Sequence, residues 1–128
     1  MAQKLTDVSG ASQVFQAGWV VYHAQSKAKE LGVDSEIISK HGEISGEVAT
    51  AMADCARLKS GSDFALSSTG WAGPDGGDEI HGVGIIFVAL STEKATIVKK
   101  LKFGKNRMRN REMASDAAFM LLIKEIEK

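Results

Sequence analysis

The run Val83 to Leu90 is apolar at every position but Gly84, and it follows directly on the glycine-dense segment Gly70 to Gly82. A stretch of this kind reads as a strand buried on both faces, which places it centrally in a sheet with a layer packed on each side. The expected class is therefore α/β. The run is also far short of the roughly 20 residues needed to cross a bilayer, so no membrane partner is expected. With 128 residues, the chain is expected to form a single domain spanning 1–128. Hydrophobic residues at 44% and charged residues at 25% exclude a disordered or collagen-like chain.

The flanking segments supply the rest of such a domain. Val14 to Tyr22, with Trp19, Val20, Val21 and Tyr22 at its end, predicts a short buried strand. Ser26 to Leu31 predicts a short helix stopped by Gly32, and Asp34 caps another brief turn through Ile37 and Ile38. Ser45 is a good N-cap for a helix to about Lys59, in which Val48, Met52 and Cys55 recur at helical spacing. Phe64, Ala65 and Leu66 lead into Ser67, Ser68 and Thr69 as a strand with a polar end, where site residues often lie. Ala95 to Phe103 predicts another strand, whose Lys99, Lys100 and Lys102 indicate a sheet edge. Asn106 caps a long final helix with Ala114, Ala117, Ala118, Leu121, Leu122 and Ile126 on its apolar face.

Charge and reactive side chains narrow the function classes. Sixteen basic residues balance sixteen acidic ones, so no global attraction to nucleic acid or anionic membrane is expected. Lys99, Lys100, Lys102, Lys105, Arg107, Arg109 and Arg111 do form a local cluster of seven cations. Only Phe103 interleaves them as an aromatic, and the edge position explains the lysines, which argues against nucleic acid and leaves a basic-patch interaction protein as the rival reading. Cys55, the one cysteine, shares a stripe with Val48 and Met52 and reads as an inert core thiol. That single thiol and the absence of a secretory pattern in the first twenty residues point to the cytoplasm. His23, His41 and His81 stand singly, and Asp75, Asp78 and Glu79 lack the spacing of a calcium loop, so neither a metal nor a cofactor is expected.

The segment Ser68-Thr69-Gly70-Trp71-Ala72-Gly73-Pro74-Asp75-Gly76-Gly77 resembles the T-G-x-A-G-P-x-G-G loop of the CinA C-terminal domain family, the nicotinamide-nucleotide amidases. The likeness extends in order through Leu5-Thr6-Asp7-Val8, Gly10-Ala11-Ser12, Tyr22 with Lys27, Leu31-Gly32-Val33, His41-Gly42 with Ser45, and Phe103 with Arg107. It implies a three-layer α/β/α domain with a mixed sheet, and hydrolysis of the carboxamide of nicotinamide mononucleotide to nicotinate mononucleotide and ammonia. It also implies catalytic roles for Lys27 and Tyr22 and substrate contacts from Thr69, Gly70, Ala72, Gly73, Gly76, Gly77 and Arg107.

On their own residues these assignments have plainer alternatives. Lys27 alone reads as a solvated helix lysine, and it can act as a base only if burial or a neighbouring cation lowers its pKa far below about 10.4. Tyr22 alone reads as a core residue with one satisfied hydroxyl. The Gly70 to Gly77 loop can be a tight turn, or its amides can converge on an anion. Ser67 and Ser68 lack a sequence neighbour that would activate them.

The chain departs from the family at three points. Its E-S-C-T-G-G segment, carrying the serine nucleophile and the first strand, would lie before Leu5, where only Met1-Ala2-Gln3-Lys4 stand. The expectation is a sheet without that strand and no amidase turnover, unless the natural start lies upstream or a second copy contributes a strand, which would make a homo-oligomer. Tyr22-His23-Ala24 stands where the family has Tyr-Ser-Asn, and Asp78-Glu79-Ile80-His81-Gly82 adds acid at the end of the loop. A catalytically dead nucleotide-binding relative, taking a pyridine mononucleotide-like small molecule, is the alternative to a working amidase.

Overall fold

A computed structural model describes residues 1–128. Helix α1 is Ala2–Thr6, a 3-10 turn follows at Ala11–Gln13, and α2, Ala24–Ser26, widens into a π-helical turn at Lys27–Leu31. Helices α3 (Ser35–His41) and α4 (Gly46–Ser60) precede strands β1 (Ala65–Gly70), β2 (Ile85–Ser91) and β3 (Thr96–Lys102), and α5 (Arg107–Ile126) ends the fold. The starts of α3, α4 and α5 are set by local side chains. Asp34, Ser45 and Asn106 accept from the N–H groups of Glu36, Val48 and Arg109, satisfying donors that a helix leaves open at its first turn.

The strands run in the order β1-β2-β3 and both pairings are antiparallel, with Ser68 opposite Val88 and Val88 opposite Lys99. All seven residues of β2 are buried, as the apolar run demands. Its side chains alternate between the layers. Ile85, Phe87 and Ala89 pack with Ala49 and Ala53 of α4, while Ile86 and Val88 pack with Ala114 and Ala118 of α5. Alanines on the helices let each approach the sheet closely. The opposite stripe of α4, Val48 and Met52, buries Val21, Leu31 and Val33. The α/β class and the α/β/α layering are as expected. The sheet itself is wholly antiparallel rather than mixed, and no strand precedes α4 within these residues.

Val14 to Tyr22 is not the expected buried strand. Val20 and Tyr22 are 94% and 72% exposed, and Val21 alone of the four closing residues enters the core. None of the amides from residue 16 to 22 donates to a backbone carbonyl. An apolar run becomes a strand only where a neighbouring strand meets its hydrogen bonds, and here none lies alongside. One boundary and one buried face also differ. Strand β2 begins at Ile85 instead of Val83, and α5 leaves Ile126 exposed while burying the polar Asn110. No helix is long and apolar enough to cross a membrane.

At the far end of the sheet, Asp54 of α4 accepts hydrogen bonds from Ser91 Oγ (2.7 Å) and from the Thr96 hydroxyl, and Arg57 Nε donates to Ser91 Oγ (3.1 Å). These contacts tie α4 to the β2–β3 hairpin, and they meet the needs of the fully buried Ser91.

Candidate functional site

The glycine-rich loop is closed at its root by two backbone bonds, Trp71 N to Ile85 O (3.0 Å) and Gly84 N to Trp71 O (2.7 Å). Helix α5 then fixes it from the side. Asn110 Nδ2 donates to Ala72 O (3.0 Å) and Gly104 O (2.8 Å), and Arg107 Nη1 donates to Gly73 O (3.0 Å). The second terminal nitrogen of Arg107 donates to the Tyr22 hydroxyl at 2.7 Å. One guanidinium therefore joins the loop to the segment ending at Tyr22. The amides of Ala72, Gly73, Gly76 and Gly77 donate to no protein group. Loop amides left without a protein acceptor are free to bond an anion.

Lys27 is 4% exposed, not solvated, and lies at the start of the π-helical turn, a wide turn often found at functional sites. Its Nζ donates to Val21 O at 3.1 Å, and no carboxylate approaches within ion-pair distance. Burial lowers its pKa from 10.5, and the charge of Glu43 opposes that effect in part. A neutral amine is thus reachable at a lower pH than for a surface lysine. The backbone carbonyl of Glu43 accepts from Thr69 Oγ1 of β1 at 2.8 Å. Ser67 Oγ likewise donates to Ala49 O at 2.6 Å. Ser67 thus holds α4 to β1, and Thr69 holds the turn before α4 to the same strand.

The remaining expected residues divide. A Cβ at Gly70 would stand 2.6 Å from Ile86 Cγ1 and 2.7 Å from Ile86 Cα, so glycine is needed there for the sheet to pack. Gly76 fits against the Trp71 ring, and the indole Nε1 of Trp71 is the one buried side-chain polar atom without a partner. Asp78 is a turn residue: its carboxylate accepts from His81 N (2.6 Å) and Ile80 N (2.8 Å), and the His81 amide above all holds its pKa below the ordinary value. Cys55 is half-buried, and burial, followed by the charge of Asp54, raises its pKa, which disfavours the reactive thiolate. Lys99, Lys100 and Lys102 lie along the exposed edge strand β3, whereas Arg107 opens α5.

Arg107 thus contacts both Tyr22 and Gly73, while Lys27 bonds Val21 O and Thr69 bonds Glu43 O. Sequence reasoning missed Glu43 and Asn110. The signal for Asn110 is its helical spacing, four and eight residues before the buried Ala114 and Ala118. No comparable signal marked Glu43, whose backbone supplies the contact.

The sequence pattern of the CinA C-terminal domain matches residues 1–126. A CinA-like protein of Geotalea daltonii is 41% identical over 126 residues, covering 98% of this chain and 30% of its own length. The chain spans about 30% of the length of such relatives. Among solved structures, the competence/damage inducible protein CihA of Agrobacterium tumefaciens is 31% identical at a TM-score of 0.91, covering 96% of this chain and 76% of that one. The competence damage-inducible protein A of Klebsiella pneumoniae, 22% identical at a TM-score of 0.93 over 98% of this chain and 78% of that one, shares the fold.

Proposed function

This chain belongs to the CinA C-terminal domain family, and on that premise we propose that Tyr22, Lys27, Arg107 and the Gly70 to Gly77 loop form a pocket for a pyridine mononucleotide. The observation that carries this reading is Arg107, held between Gly73 O and Tyr22 Oη, which ties Tyr22 to a loop whose amides at Ala72, Gly73, Gly76 and Gly77 have no backbone acceptor. The guanidinium and those amides hold the ligand's phosphate. Tyr22, exposed at the mouth, bounds the ribose and ring, and Lys27 faces the ligand from the buried side.

Hydrolysis of the carboxamide additionally needs a hydroxyl or thiol activated by a base. Burial lowers the pKa of Lys27 in the direction such a base needs, but its Nζ bonds Val21 O and no side-chain hydroxyl. Ser67 and Thr69 have committed their protons to Ala49 O and Glu43 O. The 128-residue polypeptide is therefore a binder of nicotinamide mononucleotide that does not release ammonia from it.

Calorimetric titration with nicotinamide mononucleotide tests this. Binding is expected for the native sequence, with a loss of about tenfold or more in Arg107→Ala, since hydrogen bonds to charged groups contribute roughly 1.5 to 3 kcal/mol. Ammonia release should stay at the uncatalysed rate. No binding, or turnover abolished by Lys27→Ala, contradicts the proposal.

A further inference from the structure

A second cleft, of about 420 Å³, lies on the α4 face of the sheet, and its walls contain none of Tyr22, Lys27 or Arg107. Lys40 and His41 come from α3, His81 from the end of the loop and Lys100 from β3, around Phe87 of β2. Lys100 is the cross-strand partner of Phe87, so the two side chains share a face, and its Nζ stands 6.0 Å from the ring centroid. The His81 ring meets Phe87 edge-on with centroids 5.2 Å apart. Four potential cations from three separated stretches of sequence thus converge on one concavity.

Of the four, only His41 has a carboxylate within 4.0 Å. The ion pairs involve Lys4, His41 and Lys128, and neither Lys40 nor Lys100 has a carboxylate within 4.0 Å. The one acid on the wall, Glu47, lies 3.7 Å from His41 Nδ1. The amides of Gly46 and Glu47, also on the wall, have no backbone acceptor. Gathering unpaired cations is unfavourable unless an anion completes the set.

We propose that this cleft is a second anion site, distinct from the pocket at Arg107, that takes a phosphate oxyanion between Lys40 and Lys100. The phosphate is either free or the head of a phosphomonoester whose organic part rests on Phe87. The inference goes beyond the reading of the Arg107 pocket and stands without it.

Titration with inorganic phosphate, followed by calorimetry at low salt, provides the test on the native sequence and on two variants. The double variant Lys40→Ala/Lys100→Ala is expected to lose at least tenfold in affinity, and Glu47→Gln to gain severalfold by removing the lone acid. Circular dichroism checks that each is folded. A nucleoside monophosphate binding more tightly than phosphate identifies an organic phosphomonoester, and equal affinity identifies free phosphate; either result, with the lysine dependence, supports the site. Phosphate binding unchanged in the double variant, or lost in Arg107→Ala while Lys40→Ala/Lys100→Ala retains it, overturns the proposal.

Discussion

Replacing Gly84 by alanine is expected to remove about 4 kcal/mol or more of stability, placing it among the most damaging single substitutions. Gly84 has φ +90, and a Cβ there would stand 2.2 Å from Phe103 O and 2.6 Å from Gly104 O. The left-handed conformation costs a non-glycine residue roughly 1 to 3 kcal/mol before any clash. The clash adds to that, because both obstacles are backbone and neither can rotate away. Gly84 N bonds Trp71 O and Gly84 O accepts from Phe103 N, so relief by movement breaks the root of the loop and the exit of β3 together. Since a domain of this size holds roughly 5 to 15 kcal/mol in all, much of the folded population is at risk. Urea denaturation against the native sequence checks this, with Gly82→Ala as a control. Nothing lies within 4 Å of a Cβ at Gly82, and a change below about 0.5 kcal/mol is expected there. Equal midpoints for both variants contradict the argument.

Lys27→Met is expected to change how stability depends on pH. Burial lowers the folded-state pKa of Lys27 below 10.5, so between that lowered value and 10.5 the unfolded chain binds a proton that the folded chain does not. Raising the pH through this window favours the folded state by up to about 1.4 kcal/mol per pH unit, and the gain ends above the unfolded pKa. Below the folded pKa both states are protonated and the difference is flat. The native sequence should therefore gain stability relative to Lys27→Met as the pH rises from the lowered folded-state pKa to about 10.5, a pattern that denaturation at a series of pH values reads directly. A difference that does not move with pH would mean a solvated lysine, and Lys27 would then lose its standing as a base.

The parts legible in the sequence were those whose causes are local. Ser45 and Asn106 cap the helices they precede because the acceptor and the amide lie three residues apart. Strand β2 declared itself because burial on both faces keeps it apolar from Ile85 to Leu90, and the lysines of β3 marked an edge that the strand order bears out. Val14 to Tyr22 misled because apolar content records a preference for burial, whereas a strand also needs a partner for its amides. Lys27 is the instructive case in the site. Its helical neighbourhood suggested solvent, while its burial is decided by Val21, Leu31 and Val33 packing against the outer stripe of α4. The steric demand at Gly84 was equally hidden, since Phe103 and Gly104 reach it only through the antiparallel return of β3.

Amide resonances of the isotopically labelled protein, followed during titration with nicotinamide mononucleotide, address the pocket most directly. The N–H groups of Gly73, Gly76 and Gly77 and the Arg107 side chain should shift together and saturably, while Gly61, beyond the far end of α4, stays still. Shifts confined to other parts of the fold, or none at saturating ligand, would contradict a mononucleotide pocket built on Arg107 and the loop.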